Sequence, residues 1–164
     1  MKPAIFTDPQ LISEIEKYSR VKAFEKDEVI INPGDEFIFI PIVISGSIRV
    51  VRQNNDGKEV FLYHLFSGQT CALSFTCCRA GKRSMVKAVA EDATEVLQIP
   101  VNQIEGWLKY PEWKDYIFNI YNTRFEELLQ VIDLIAFSNK DKQLQHYLEE
   151  RSKALNTKVL DITH

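Results

Sequence analysis

The stretch Ile40–Gln69, IPIVISGSIRVVRQNNDGKEVFLYHLFSGQ, decides the fold. It opens apolar and β-branched, which suits a strand, and Ser45, Gly46 and Ser47 break it as a turn before the run resumes to Gln53. Pro41 has no N–H to give to a ladder, so it belongs on an edge strand or a bulge. Asn54-Asn55-Asp56-Gly57-Lys58-Glu59 is a hairpin signal, because Asn and Gly accept positive φ, and VFLYHLF (60–66) is the return strand.

The same pattern extends in both directions. Upstream, EVIINPGDEF (28–37) reads as a strand entering a Pro-Gly turn. Downstream, SMVKAVA (84–90) and TEVLQIP (94–100) are two more short strands. Many short strands with regular turns, from about Phe24 to Ile99, predict an antiparallel sandwich or barrel. Before them, TDPQLISEIEKYSR (7–20) predicts a leader helix: Asp8 caps, Pro9 suits the first turn, and Leu11, Ile12 and Ile15 form a stripe with Tyr18 one turn on. After them, VNQIEGWLK (101–109) predicts a short helix, and Pro111 opens a long one to about Phe137.

That long helix carries two apolar stripes. Ile117, Tyr121, Phe125, Leu128, Ile132 and Ile135 follow one another at spacings of three and four, a heptad-like seam. Trp113, Tyr116, Ile120, Leu129 and Leu134 make the second. A helix with two apolar faces must bury both, so the second stripe is expected against the sheet domain and the heptad-like seam against a second copy, giving a homodimer. A further helix is expected over about Lys140 to Leu155, ended by Asn156, and KVLDITH (158–164) alternates like a strand, with Thr163 suited to cap a following helix. A chain stopping on a helix-start signal reads as truncated.

Composition narrows the function. The chain has 164 residues, 45% of them hydrophobic, which suits one globular domain with an appendage. A net charge of -3 argues against this segment holding nucleic acid by itself, since phosphate contacts need clustered Lys and Arg. MKPAIFTDPQ lacks the apolar core of a signal peptide, and no run approaches the ~18 apolar residues of a membrane span. A cytoplasmic protein with reduced thiols and no membrane contact is expected. His64, His146 and His164 stand far apart, and no nucleophile-base set, paired carboxylates or phosphate-loop motif appears, so no catalysis is expected.

All three cysteines fall in SGQTCALSFTCCRAGKRS (67–84). Adjacent Cys77 and Cys78 are poorly placed to chelate zinc, and an iron–sulfur cluster usually takes four ligands, so no metal is expected. Two readings of the thiols stand: small apolar filling of the sheet interior, or a redox sensor of Cys71, Cys77 and Cys78 in which Arg79, Lys82 and Arg83 lower the pKa of an exposed thiol.

The order of these parts resembles the Crp/Fnr family of transcription regulators, over about Ala23 to His164. The pieces are the EVIINPGDEF opening, the central run with Ser45-Gly46 and Asp56-Gly57-Lys58-Glu59 at its turns, RSMVKAVAEDATEVLQIP (83–100), and LIAFSNKDKQLQHYLEE (134–150). The resemblance implies a mainly β fold with flanking helices: a double-stranded β-helix, or jelly roll, with its leader helix (1–110), a long dimerisation helix (111–138), and a helix with the start of a winged helix-turn-helix domain (139–164). It implies an effector-sensing and dimerisation domain, with DNA contacted only through a domain beyond this segment; the alternatives are a ligand-free dimerisation module or the thiol sensor.

In the family's cyclic-nucleotide-binding members, the stretch 67–84 is a phosphate-binding cassette. A short helix there offers N–H groups to the phosphate, an arginine pairs with it, and a Gly-Glu pair eleven residues earlier supplies the carboxylate for the ribose hydroxyl. Arg83 and Ser84 match the Arg-Ser end, but eleven residues before Arg83 stands Ala72, followed by Leu73. Leucine cannot accept a hydrogen bond, and losing the partner of a buried hydroxyl costs about 1–3 kcal/mol, roughly ten- to a hundredfold in affinity. The family's adenine-contacting hydroxyls fall at about Leu128 and Leu129. The resemblance therefore points to a small effector other than cyclic AMP, held by Gly68, Cys71, Ala72, Leu73, Arg83, Ser84, Arg124 and Leu128.

Overall fold

The computed structural model describes residues 5–54, 56–79 and 81–137, with only the backbone described at Cys78, Arg79 and 134–137. The expected helix over 140–155, the strand 158–164 and the domain 139–164 lie outside the described residues. The chain divides after Asn122 into two compact units.

The leader helix is α1, Pro9–Tyr18. Asp8 caps it as expected, its carboxylate accepting from the Gln10 and Leu11 amides at 2.8 and 3.1 Å. Leu11 and Ile15 are the buried members of its stripe. Then come β1 (Arg20–Phe24), β2 (Val29–Ile31), β3 (Phe39–Ser45), β4 (Ile48–Gln53), β5 (Glu59–Leu65), α2 (Ala72–Arg79), β6 (Lys87–Ala90) and β7 (Thr94–Pro100). A 3₁₀ turn, Val101–Gln103, leads to α3 (Ile104–Trp107) and then α4 (Pro111–Phe137).

The strands form two antiparallel sheets, ordered β1-β7-β3 and β2-β6-β4-β5. β3 pairs with β7 alone among the named strands and so lies at a sheet edge, where Pro41 needs no ladder donor on its open side. The 54–59 hairpin joins β4 to β5, with Gly57 at φ +80°. Gly46 turns β3 into β4 at φ +81°, and a Cβ there would lie 2.5 Å from Thr94 Oγ1 and 2.6 Å from Ala93 O, so no larger residue fits. β1 was not foreseen: only Phe24 of its five residues is buried, so it has no apolar pattern and is held by its backbone ladder to β7.

Two apolar clusters explain why β3 and β7 carry apolar residues on both faces. Val43 and Val96 face the interior between the sheets, with Phe24, Ile48, Val50, Leu65, Ala88 and Ala90. Ile40, Ile42, Leu97 and Ile99, on the opposite face of the same strands, pack against Leu11, Ile15, Phe75, Trp107 and Trp113 of the helices. A sheet covered on both faces cannot show the apolar–polar alternation of a one-sided sheet.

Glu112, at the start of α4, ties this helix layer to the N-terminal segment. Its carboxylate accepts from the Asp8 amide at 2.8 Å and from the amide and hydroxyl of Thr7 at 2.8 and 3.0 Å. The Asp8 amide, opposed by partial desolvation and joined by Thr7, holds this carboxyl below the usual carboxylate range. A depressed folded-state pKa gives stability that is present above the unfolded value of about 4.3 and lost as pH falls through the folded value. Glu112→Gln is therefore expected to be less stable than the parent at pH 7, with the gap closing as pH drops below about 4. Urea denaturation at both pH values checks this; a gap that persists in acid would show that charge is not its origin.

Candidate functional site

The stretch 67–84 folds as a turn, a helix and a second turn. Gly68, at φ +83°, makes the first turn, and its amide donates to Val43 O at 2.8 Å. The Thr70 hydroxyl then donates to Pro41 O, anchoring the segment to β3. Next is Cys71, buried, with its sulfur 3.1 Å from the Tyr63 hydroxyl.

α2 sits between the two clusters. Leu73 is half-buried against the cluster inside the roll, and Phe75 is buried in the helix-side cluster. Ala72 and Cys77 are also buried. Cys71 and Cys77 are both buried, so neither is the exposed thiol that a rapid redox sensor requires. The Cys78 side chain lies outside the described residues. Among the described residues, no group of three His, Cys, Asp or Glu side chains is placed to hold a metal ion.

The far end of the stretch is stitched to the Pro33-Gly34 turn. Gly34 N donates to Ser84 O, and Ser84 N donates to Asp35 O, each at 2.8 Å. Ser84 is buried, and its hydroxyl donates to Val86 O at 2.7 Å and accepts from Val86 N at 3.2 Å. Arg83 points its guanidinium along the same turn. Nη1 donates to Gly34 O at 2.9 Å, and Nη2 lies 3.6 Å from a Glu36 carboxylate oxygen. The Arg83 side chain is 67% exposed, so its charge stays largely hydrated. Beside it runs a groove of about 290 Å³ lined by Ile30, Ile31, Asp35, Glu36 and Phe37–Phe39.

The stretch is also joined to the long helix within the first unit. Phe75 meets Trp113 edge-on with ring centroids 6.1 Å apart. The Thr76 and Tyr121 hydroxyls lie 2.9 Å apart. The Tyr116 hydroxyl donates to Gly68 O at 3.0 Å, and burial pushes its pKa well above the ordinary tyrosine value. Sequence reasoning missed Gly34, Glu36 and Tyr116 as neighbours of the stretch; the Pro-Gly turn followed by two carboxylates was the one visible signal for the first pair.

The α4 seam divides along its length. Ile117 packs against its own chain's helix-side cluster, with Tyr116 and Ile120. Tyr121, Phe125, Leu128 and Ile132 are exposed. The Ile135 side chain lies outside the described residues. In the second unit, Arg124 pairs with Glu127 one turn on, and Leu128 is exposed.

The model of the family described as the cyclic nucleotide-binding domain matches residues 21–110, more than half of the chain. The chain belongs to the cyclic nucleotide-binding domain family. No curated protein matches its sequence. Among solved structures, it is similar to a Crp/Fnr-family transcriptional regulator from Eubacterium rectale, with 26% identity and a TM-score of 0.69 over 96% of this chain and 74% of that one. It is also similar to the Thermus thermophilus catabolite activator protein, with 21% identity and a TM-score of 0.66 over 81% of this chain and 63% of that one. The c-di-GMP responsive global regulator CLP of Xanthomonas campestris is a third neighbour, with 18% identity and a TM-score of 0.69 over 89% of this chain and 73% of that one. This cyclic nucleotide-binding domain thus has the mainly β roll and long C-terminal helix expected of it, and its structural neighbours include a Crp/Fnr-family regulator. Among the described residues, no helix is long and apolar enough to cross a membrane.

Proposed function

We propose that the chain is the effector-sensing and dimerisation domain of a Crp/Fnr-type transcription regulator, a regulatory role without catalysis. The observation that carries this is the joint between the 67–84 stretch and α4, made by Phe75 on Trp113, Thr76 on Tyr121 and Tyr116 on Gly68. A ligand that moves α2 moves the helix with it. The exposed row Phe125, Leu128 and Ile132 on that helix suits a second copy of the chain. Effector binding would then bias the packing of two such helices, provided the effector binds the two states with different affinity, and would so reorient attached DNA-binding domains.

The effector is an anion that uses Arg83 and is not cyclic AMP. Leu73 presents a hydrocarbon surface against the roll interior where a ribose hydroxyl would need an acceptor. The fold does not choose the ligand, since the CLP neighbour responds to c-di-GMP. A thermal-shift screen of cyclic nucleotides, small acids and amphipathic anions tests this reading. We expect cyclic AMP to give no shift, at least one other anion to raise the melting temperature, and Arg83→Gln to abolish that rise. No shift with any compound would leave a ligand-free dimerisation module, which the packing of Leu73 and Tyr63 onto the interior cluster also favours.

A further inference from the structure

Arg83 is held in two unequal ways. Its contact with Gly34 O is a well-formed hydrogen bond at 2.9 Å from a carbonyl that cannot move alone, because the flanking backbone is pinned by Gly34 N to Ser84 O and Ser84 N to Asp35 O. Its contact with Glu36 is longer, at 3.6 Å, between side chains 67% and 73% exposed. Glu36 also borders the groove of about 290 Å³, so its carboxylate has open space to move into. The backbone carbonyl thus aims the guanidinium, and the carboxylate only neutralises it.

We propose that Glu36 is a displaceable counter-charge that sets the affinity of this site for oxyanions. An incoming phosphate, sulfate or carboxylate group takes the place of Glu36 at Nη2 while Nη1 keeps Gly34 O. The guanidinium fork favours a ligand with two adjacent oxygens. Weakly charged or singly accepting ligands do not displace Glu36, so the residue acts as a selectivity filter. The proposal rests on the reading of Arg83 as an anion ligand. Exposed ion pairs of this kind contribute little, so the filter is worth about two- to fivefold in affinity.

Inorganic phosphate is a sufficient probe. The full chain, Glu36→Gln, Arg83→Gln and the double variant would each be titrated with phosphate at constant ionic strength, following the amide resonances of Gly34, Arg83 and Ser84. The expected result is a two- to fivefold lower midpoint for Glu36→Gln, and no saturable shift for either variant lacking Arg83. An unchanged midpoint in Glu36→Gln, with saturation still lost in Arg83→Gln, overturns the counter-charge while leaving Arg83 as the anion ligand. Equal titrations of the parent and Arg83→Gln overturn the Arg83 reading itself, and the filter with it.

Discussion

Trp113→Ala is expected to destabilise the protein by about 3–5 kcal/mol, the usual cost of removing a buried tryptophan. Trp113 is fully buried where α4 leaves the sheet domain. Its ring meets Trp107 at 5.4 Å, Phe6 at 5.7 Å, Tyr116 at 5.8 Å and Phe75 at 6.1 Å between centroids. Those partners come from α3, the N-terminal segment, α4 itself and α2, so one deletion opens a cavity touching all four. Among the described residues the indole N–H has no hydrogen-bond partner, so Trp113→Phe loses ring volume but no hydrogen bond and should retain most of the stability. Urea denaturation of the three proteins checks this. A loss below about 1 kcal/mol for the alanine variant would mean that the aromatic joint is not a packing centre.

The combined change Phe125→Glu and Leu128→Glu should act in the opposite way, leaving the fold intact and abolishing association. Both side chains are exposed, at 61% and 54%, so the monomer should change by less than about 0.5 kcal/mol per site. In a helix pair the same carboxylates would meet their copies across an apolar seam, where unpaired charge is strongly unfavourable. The parent is expected to be dimeric at micromolar concentration by native mass spectrometry, and the double variant monomeric with an unchanged melting profile at matched low concentration. A monomeric parent would refute the dimer, and a dimeric variant would place its interface elsewhere.

Much of the fold was legible from local chemistry. Asp8 caps α1 because its carboxylate reaches two orphan amides within three residues, a relation contained in the sequence order. The 54–59 hairpin, the Gly46 turn and the edge position of Pro41 follow likewise from backbone rules. β1 escaped because a strand buried at one residue in five leaves no apolar pattern, only a ladder to partners 70 to 78 residues further along the chain.

The site was legible only in part. The count back from Arg83 to Ala72 and Leu73 marked the stretch and its departures from the family pattern. It could not say what Arg83 touches, because Gly34 and Glu36 lie almost fifty residues upstream. α4 shows the same limit. Its periodicity suggested two faces with separate fates, whereas the folded helix buries Trp113 in the helix-side cluster, packs Ile117 against it, and exposes Phe125, Leu128 and Ile132 further along.

The sequence by itself determined most of the elements, with their turns and the α1 cap, and the family, since these depend on contacts a few residues apart or on the order of motifs along the chain. Tertiary structure alone decided which neighbour takes each polar group and where each apolar stripe finds cover. Those outcomes rest on meetings between segments distant in the chain, where distance and burial, not residue type, set the energy.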